Sequence, residues 1–290
     1  MKDFDIITDS SCDLPAATAK DLGISVVPLS VSVEGKTYVN YLDGREIDFQ
    51  TYYALLHAGK SAVTSAANVS QFLALMEESL LRGKDVLYLG FSSALSGTYN
   101  VGAVAASELA VKYPERKLRT IDTLSASLGQ GLLVYLASQQ ADSGKTIDEV
   151  ADYVEETKLR LCHWFTVDDL NYLHRGGRVS KTTAAVGSTL GIKPVLHIDN
   201  NGCLTKTGIA RGRKSSIKSL AEKMKLLAAD PQDQTVFISH GDCMEDAEYL
   251  AQIIKDEIGV KNILINYIGP VIGTHSGPGT LALFFLGTER

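Results

Sequence analysis

Two short segments rich in hydroxyl side chains precede helices that the hydrophobic pattern predicts. Thr64-Ser65 lies before an amphipathic helix at about residues 68–81, and Ser92–Thr98 joins a buried strand to the next helix. Hydroxyls and free backbone amides at the start of a helix bind anions, so these segments could hold a carboxylate. Each segment alone is also typical of an ordinary helix cap. The direct donors would be Thr64, Ser65 and Ser96, and the supporting network would include Ser93, Gly97 and Thr98.

Two further positions could add a proton donor or a positive charge near a bound anion. His275 lies beside Thr274 in a loop rich in glycine and proline, and an imidazole can donate a hydrogen bond and change its charge near neutral pH. Arg178 follows Gly176-Gly177 and could supply a longer-range positive charge. The alternatives are that His275 is structural or solvated, and that the two glycines only permit a turn with positive φ.

Other recognisable site chemistries are incomplete in this sequence. Three Gly-Lys-Ser/Thr tripeptides, at 35–37, 59–61 and 144–146, lack the upstream glycine of a phosphate loop. The four cysteines form no Cys-x-x-Cys pair, so a structural zinc site is not predicted. Without a Gly-x-Ser-x-Gly elbow, a hydrolase of the α/β type is disfavoured. Asp9 and Asp13 lack the spacing of a phosphotransfer site, so we expect them to cap helices.

Composition restricts the functional classes further. Hydrophobic residues make up 45% of the 290-residue chain and charged residues 21%, which predicts a soluble globular protein large enough to enclose an apolar cavity. A formal net charge of −6 disfavours a nucleic-acid binder. The sequence has no apolar run near the ~20 residues that span a bilayer and no segment resembling a signal peptide. We therefore expect a cytoplasmic protein with reduced thiols.

Strands and helices alternate in the first half of the chain. Strands are predicted at residues 5–8, 24–33, 85–91 and 118–121. Helices lie between and after them, and a Thr146-x-x-Glu149 capping box opens one of these helices. Such alternation predicts a mostly parallel sheet with helices on both faces, and ligands of such sheets bind beyond the carboxyl ends of the strands.

The second half of the chain predicts a different arrangement. Asp199-Asn200-Asn201-Gly202 is typical of a hairpin turn between strands at residues 193–198 and 203–208. The strands predicted after this hairpin, at 235–239, 263–267 and 280–286, alternate with helices at 214–227 and 245–258. We therefore predict an α/β protein of two domains. These are an N-terminal α/β domain at residues 1–161 and a C-terminal α+β domain with a mixed sheet at residues 162–290.

Taken in order along the chain, several segments resemble the DegV family of bacterial fatty-acid-binding proteins. Each motif alone is weak, but the ordered set is highly specific and runs through nearly the whole chain. One departure is Thr64-Ser65-Ala66-Ala67, where many members have Thr-Ser-Gln-Pro and therefore a stiffer loop. The resemblance rests on Thr8–Pro15, Tyr41–Gly44, Thr64-Ser65, Ser92–Thr98, Ser127–Gly131, Asp169-Leu170, Leu173, Gly176–Arg178, Ile192–Pro194, Ile268–His275 and Gly277–Gly279.

The resemblance implies two α/β domains with a lipid tunnel that holds one fatty acid. Thr64 and Ser96 would bind its carboxylate, His275 would lie beside it, and Arg178 would belong to the surrounding polar network. In many bacteria a separate kinase subunit brings ATP and magnesium and phosphorylates the bound fatty acid, and the acyl phosphate then enters phospholipid synthesis. This chain would be the binding and carrier subunit, with no cofactor or metal and no complete catalytic machinery of its own.

Three alternatives stay open from the sequence. The basic stretch at residues 206–225, which includes Arg211 and Arg213, could dock the kinase, touch anionic lipid transiently, or form a solvated helix face. A Ser96–His275 pair could instead serve a lipid hydrolase or acyltransferase. A phosphoryl carrier that uses His275 or His240 is the remaining class, suggested by a fold shared with some sugar-transport and dihydroxyacetone-kinase domains.

Overall fold

The computed structural model describes residues 3–182 and 191–290, which form three β-sheets and the helices around them. The strands are β1 (Phe4–Asp9), β2 (Ser25–Val27), β3 (Leu29–Val33), β4 (Lys36–Asn40), β5 (Ala62–Ser65), β6 (Asp85–Gly90), β7 (Leu118–Asp122), β8 (Leu161–Thr166), β9 (Ile192–Ile198), β10 (Leu204–Arg211), β11 (Thr235–His240), β12 (Asn262–Tyr267) and β13 (Leu281–Leu286). The α-helices are α1 (Ala16–Asp21), α2 (Phe49–His57), α3 (Val69–Leu81), α4 (Thr98–Lys112), α5 (Leu128–Asp142), α6 (Ile147–Thr157), α7 (Asn171–Arg175), α8 (Arg213–Leu227), α9 (Met244–Ile258) and α10 (Pro270–Ser276).

The first half of the chain builds a parallel sheet with the strand order β2-β1-β6-β7. Successive residues of its strands face opposite sides, so Ile6 and Leu87 pack with α5 and α6, whereas Ile7 and Tyr88 pack with α3 and α4. Helices therefore cover both faces, as expected for a parallel sheet. This arrangement confirms the predicted α/β class.

One predicted strand is divided between two sheets. Residues 24–33 form β2 and β3, which are separated by Pro28, a residue that cannot donate a backbone hydrogen bond to a ladder. β2 joins the parallel sheet, whereas β3 pairs with β4 and β5 in a small antiparallel sheet. β5 carries Thr64 and Ser65, but Asn68 caps the following helix, α3, through its side chain. The helix-cap explanation for Thr64 and Ser65 is therefore wrong.

The second half of the chain builds a six-stranded mixed sheet with the order β10-β9-β8-β13-β11-β12. β9 and β10 are antiparallel and are joined by the predicted hairpin turn, in which Gly202 has a φ of +79°. α8 and α9 cover the outer face of this sheet. The predicted mixed sheet is confirmed, and the predicted domain boundary near residue 162 falls at the start of β8.

The two large sheets share the helix α5 as a common layer. This helix contacts β1 and β6 of the parallel sheet and β8, β11 and β13 of the mixed sheet. Because it has a sheet on each side, apolar residues all around it, such as Leu128, Leu133 and Val134, are buried. One continuous hydrophobic core therefore joins residues of both halves of the chain.

The glycine- and proline-rich segment after β12 forms a helix, so the prediction of a loop around His275 is wrong. α10 begins at Pro270, which suits the first turn of a helix, and ends before Gly277, whose φ is +81°. The helix packs against α2, β3 and β5 on one side and α7 on another. His275 thus lies in the last turn of a helix that elements from both halves of the chain hold in place.

Candidate functional site

A cavity lies in the layer between the two large sheets, next to the N-terminus of α5. The empty space between its lining residues is about 820 Å³ when the part open to solvent at the mouth is included. Most of its lining is apolar. The apolar side chains are Leu29, Ala66, Phe91, Leu95, Ala126, Phe165, Leu173, Ile198, Leu204, Ile268, Val271, Ile272, Ala282 and Phe284.

Two different surfaces enclose this cavity. One is the inner face of the mixed sheet, where Phe165, Ala282 and Ser239 are direct neighbours across β8, β13 and β11. The other surface includes segments that follow the parallel strands, with Phe91 after β6 and Ala126 after β7. The cavity therefore lies beyond the carboxyl ends of the parallel strands, where a ligand is expected.

Thr64 and His275 form a hydrogen-bonded pair at the more exposed end of the cavity. Thr64 Oγ1 lies 2.9 Å from His275 Nε2 although the two residues are far apart in the sequence. If Nε2 carries the imidazole proton and donates it to Thr64 Oγ1, the hydroxyl proton of Thr64 is free for a ligand. In the other tautomer Nε2 is an acceptor, so the Thr64 hydroxyl donates to the imidazole and cannot donate to a ligand. A carboxylate accepts hydrogen bonds and donates none, so its binding by Thr64 requires the tautomer protonated at Nε2.

The imidazole of His275 is neutral in this environment. Burial, with a smaller contribution from the positive charge of Arg178, lowers the pKa of His275 to about 4. The expectation that His275 changes charge near neutral pH is therefore wrong for the site as it stands. A neutral imidazole still serves as a hydrogen-bond donor, and that is the property on which the Thr64 contact depends.

Arg178 links two segments at this end of the cavity. Its Nε donates to the carbonyl of Leu95 at 3.1 Å, and a terminal nitrogen donates to the carbonyl of Gly176. Burial lowers the pKa of this guanidinium. Gly176 has an ordinary φ of −70°, but a Cβ there would lie 2.4 Å from His275 Nδ1. Gly176 is thus needed for close approach of the imidazole, whereas Gly177, with a φ of +75°, is needed for the turn.

The segment Ser92–Thr98 contributes the hydroxyl of Ser96 to this end of the cavity. Ser96 Oγ lies 2.9 Å from Thr98 Oγ1 and accepts from the Thr98 backbone N–H at 3.2 Å. If the Thr98 hydroxyl donates to Ser96 Oγ, the Ser96 proton remains free for a ligand. We call the predicted residues that line this end of the cavity the mouth group, namely Thr64, Ser65, Ser96, Arg178 and His275.

Other members of the predicted polar network are not among the described residues that line the cavity. Ser93 is exposed, and its backbone N–H donates to the carboxylate of Asp122. Gly97 is exposed at the start of α4. Thr274 faces α2, where its hydroxyl lies 2.6 Å from Tyr52 Oη. Thr98 acts on the site only through its contacts with Ser96.

A second polar cluster, which sequence reasoning missed, lies in the wall of the cavity. The hydroxyls of Ser127 and Ser239 are 3.1 Å apart, and Ser127 Oγ lies 2.6 Å from the carboxylate of Asp13. Asp13 also accepts from the backbone N–H of Gly269 at 3.0 Å, at the start of α10. We call Asp13, Ser127 and Ser239 the inner-wall cluster.

The prediction that Asp13 caps a helix is wrong. α1 begins after Pro15 without a side-chain cap, and Asp13 is instead 97% buried in the wall, with a relative exposure of 3%. Burial raises the pKa of Asp13 to about 8. Asp13 and Ser127 both have positive φ, at +51° and +53°, which residues other than glycine rarely adopt outside constrained sites. Both belong to segments that resemble the DegV family, and this was the signal that could have found them.

The geometry gives little support to covalent chemistry. The Ser96 hydroxyl bonds to Thr98, and the charged group that influences the pKa of His275 is the Arg178 guanidinium rather than a carboxylate. A Ser–His–acid triad needs a hydrogen bond between the serine and the histidine and a second one between the histidine and a carboxylate. His240 is fully buried and burial lowers its pKa to about 4, so it is poorly placed to accept a phosphoryl group.

Part of the basic stretch is engaged within the chain. Arg213 Nε donates to the carboxylate of Asp246 at 2.8 Å, and another guanidinium nitrogen lies 3.5 Å from Asp168. Its side chain is only 20% exposed. Arg211, on β10, is exposed. Docking through this stretch stays a prediction, and it depends on Arg211 more than on Arg213.

Within residues 3–182 and 191–290, no group of three or more His, Cys, Asp or Glu side chains is arranged to hold a metal ion. In those two ranges every helix is too short or too polar to cross a bilayer. The four cysteines are free thiols.

Known proteins match this chain along nearly its whole length. The family model described as "Uncharacterised protein, DegV family" matches residues 3–288. A DegV domain-containing protein from Clostridium perfringens is 48% identical over 290 residues, which cover 100% of this chain and 99% of that protein.

Solved structures share the fold. A DegV family protein from Thermus thermophilus, described by its fatty acid binding, has a TM-score of 0.89 and 29% sequence identity, with 99% of this chain and 100% of that chain covered. DegV from Bacillus subtilis, described as a fatty acid binding protein, has a TM-score of 0.83 and 27% identity, with the same coverage of 99% and 100%.

Proposed function

The chain belongs to the DegV family, and from this premise we propose that it binds one long-chain fatty acid, with the acyl chain in the cavity and the carboxylate at the mouth group. The observation that carries the proposal is the cavity itself, which has a mostly apolar lining and the Thr64–His275 pair at one end. A ligand that is apolar along its length and anionic at one end complements this surface. Two structural relatives described as fatty acid binding support the same ligand class.

The acyl chain provides most of the binding free energy. Each methylene removed from water contributes about 0.8 kcal/mol. A chain of about 16 carbons therefore gains roughly 11 kcal/mol, from which the entropy of association must be subtracted. The apolar lining, with large side chains such as Phe91, Phe165 and Phe284, accepts such a chain without leaving polar atoms unpaired along most of its length.

The carboxylate needs hydrogen-bond donors because an unpaired buried charge is costly. In the proposed complex His275 Nε2–H donates to Thr64 Oγ1, and the Thr64 hydroxyl donates to one carboxylate oxygen. The Ser96 hydroxyl donates to the carboxylate as well. Arg178 adds a positive charge at longer range, which favours an anionic head group over a neutral one.

We further propose that a separate kinase subunit, which carries ATP and magnesium, phosphorylates the bound fatty acid. A carboxylate oxygen attacks the γ-phosphorus, the bond from that phosphorus to the β,γ-bridging oxygen breaks, and ADP leaves with the bridging oxygen. The support is positional, since Ser65 and Ala66 at the mouth are exposed and a partner can reach the head group there. The carrier would then deliver the acyl phosphate to phospholipid synthesis, and the need for ATP favours the cytoplasm.

Two phenylalanine substitutions on neighbouring positions of β13 test the location of the acyl chain. Ala282→Phe would fill space equal to about four methylenes and should weaken the binding of a long-chain fatty acid roughly 200-fold. Leu283→Phe is the matched control, because Leu283 faces the opposite side of the sheet, in the core with α8 and α9. Calorimetric titration of the delipidated proteins measures the fatty acid affinity of both variants. Equal affinities for the two variants would contradict an acyl chain in this cavity.

His275→Ala tests the phosphorylation step. With the kinase subunit of the same organism, ATP and magnesium, we expect the variant to accumulate acyl phosphate more slowly, because Thr64 then loses the neighbour that orients its hydroxyl. Trapping the acyl phosphate with hydroxylamine measures the rate. A rate equal to that of the unmodified protein would show that His275 has no role in the phosphorylation step.

A further inference from the structure

The cavity wall contains a hydroxyl that the proposed carboxylate site does not use. Ser276 follows His275 in α10, and successive residues of a helix point about 100° apart, so the two side chains face different parts of the cavity. Ser276 is 6% exposed. Its hydroxyl has no hydrogen-bond partner in the part of the chain that the structure describes.

Ser239 presents a second hydroxyl with unused capacity at the same wall. It is fully buried, it lines the cavity, and its hydroxyl pairs with that of Ser127. A serine hydroxyl has one donor and two acceptor positions, so one contact leaves it partly unsatisfied. Thr280 links the two backbone segments that carry these serines, because its hydroxyl donates to the Ser276 carbonyl and its own carbonyl accepts from Gly241, two residues beyond Ser239.

These two hydroxyls are an unusual surface for a saturated acyl chain. Buried polar atoms are nearly always paired, and an unpaired one weakens whatever state contains it. Methylene groups packed against Ser239 and Ser276 would leave their free positions without a partner. An alcohol group can donate one hydrogen bond and accept two, so a ligand hydroxyl at this wall has the donor and acceptor capacity that these serines lack.

We propose that Ser239 and Ser276 form a second polar subsite, which binds a hydroxyl group carried by an interior carbon of the acyl chain. Hydroxylated long-chain fatty acids are then a ligand class of this protein. This inference rests on the proposed fatty-acid function and extends it from the head group to the chain. It is distinct from the mouth group, which recognises the carboxylate.

Competitive titration against octadecanoic acid tests the subsite. The ligands are octadecanoic acid and a set of isomeric hydroxyoctadecanoic acids, with the hydroxyl at different mid-chain carbons or at the terminal carbon, each titrated into delipidated protein. We expect at least one mid-chain isomer to bind as tightly as octadecanoic acid or more tightly. Ser276→Ala should weaken that isomer about tenfold relative to octadecanoic acid, as expected for loss of one buried hydrogen bond. Ser239→Ala should act in the same direction and provides a second variant.

Thr280→Val is the matched control for these substitutions. It removes a hydroxyl from the same wall, but one that already donates to the carbonyls of Ser276 and Gly277, so it should shift the affinities of all ligands together. If octadecanoic acid binds but every hydroxylated isomer binds at least tenfold more weakly, or if neither serine variant changes the ranking, the hydroxyls hold water only and the inference fails. If octadecanoic acid itself does not bind, the proposed function fails with it.

Discussion

The mouth group and two residues of the inner-wall cluster, Asp13 and Ser127, use similar polar side chains for opposite purposes. Thr64 and Ser96 are partly exposed, and each hydroxyl has an imidazole or hydroxyl partner that can donate to it, which leaves its own proton available in that arrangement. Asp13 and Ser127 are buried, have strained backbones, and join the loop after β1 to the loop before α5 and to the start of α10. The hydroxyls of Thr64 and Ser96 keep hydrogen-bonding capacity for a ligand, whereas Asp13 and Ser127 use theirs to hold segments of the cavity wall together.

The position of a polar side chain in the cavity therefore decides whether its removal reduces ligand affinity or stability. Substitutions in the mouth group should reduce ligand affinity with little effect on the free energy of unfolding. Substitutions of Asp13 or Ser127 should reduce the free energy of unfolding first, because they leave buried hydrogen-bonding groups unpaired.

Asp13→Ala should have the largest effect of these substitutions, which is a decrease in the free energy of unfolding. It leaves the buried Gly269 N–H without its acceptor, and Ser127 keeps only its contact with Ser239; one unsatisfied buried group and one lost hydrogen bond together cost roughly 2–4 kcal/mol. Urea denaturation followed by circular dichroism measures the change. Ser96→Ala is the control from the mouth group and should change the free energy of unfolding by less than about 1 kcal/mol. Equal losses in the free energy of unfolding of the two variants would contradict the distinction between Asp13 and the mouth group.

The pH dependence of stability should reveal the buried Asp13. Its pKa is raised from 3.8 to about 8 by burial, so the folded state holds the proton more tightly than the unfolded state. This contribution to stability is fully present below pH ~3.8 and is lost as the pH rises toward 8, by at most about 1.4 kcal/mol per pH unit. Asp13→Asn should therefore flatten the fall in stability between pH 5 and 7.

Asp43→Asn is the control for that experiment. The pKa of Asp43 is lowered by its hydrogen bond with Arg45, so it stays ionised in both states over the same pH window and its removal should leave the slope unchanged. Burial also raises the pKa of Asp9, so the slope in Asp13→Asn should decrease without vanishing. An Asp13→Asn protein with the slope of the unmodified protein would show that Asp13 is ionised in the fold.

Thr64→Val should lower fatty acid affinity about 10- to 100-fold, since hydrogen bonds to charged groups contribute about 1.5–3 kcal/mol. Valine keeps the shape of threonine and suits a strand such as β5, so stability should hardly change. Ser93→Ala, in the exposed part of the Ser-rich segment, provides the comparison and should bind like the unmodified protein. Calorimetric titration compares the fatty acid affinities of the two variants. An unchanged affinity in Thr64→Val would show that the carboxylate binds elsewhere.

Gly176→Ala should have the smallest effect, a loss of about tenfold or less in affinity. The new Cβ would sit 2.4 Å from His275 Nδ1 and push the imidazole away from Thr64. One weakened hydrogen bond is worth about 1 kcal/mol. Gly97→Ala is matched to it, because Gly97 has a similar φ of −71° and no atom near the position of its Cβ. Similar affinities for the two variants would mean that His275 does not orient Thr64.

The sequence predicted the layers of the fold better than the contacts of the cavity. Alternating strands and helices sufficed for the parallel sheet, and the turn at Asp199–Gly202 for the hairpin, because both signals are local. The division at Pro28 was missed, because the residues on both sides continue the pattern of a strand. Burial around the whole of α5 comes from a second sheet formed much later in the chain, which no local period reveals.

The same contrast applies to the site residues. Thr64, Ser96, Arg178 and His275 were found because the ordered motifs of a family mark them, and the structure brings them to one cavity. Asp13 was assigned to a helix cap on local grounds. Its actual partners, Ser127 and Gly269, lie 114 and 256 residues away, and only the assembled fold brings them together.

Native mass spectrometry of the protein purified from a bacterial host, followed by extraction and identification of any bound lipid, tests whether the chain binds a fatty acid. We expect a mass increase that corresponds to one fatty acid per chain and is lost in the Thr64→Val/Ser96→Ala double variant. A protein that carries no lipid and takes up none of the fatty acids added to it would contradict the proposed function.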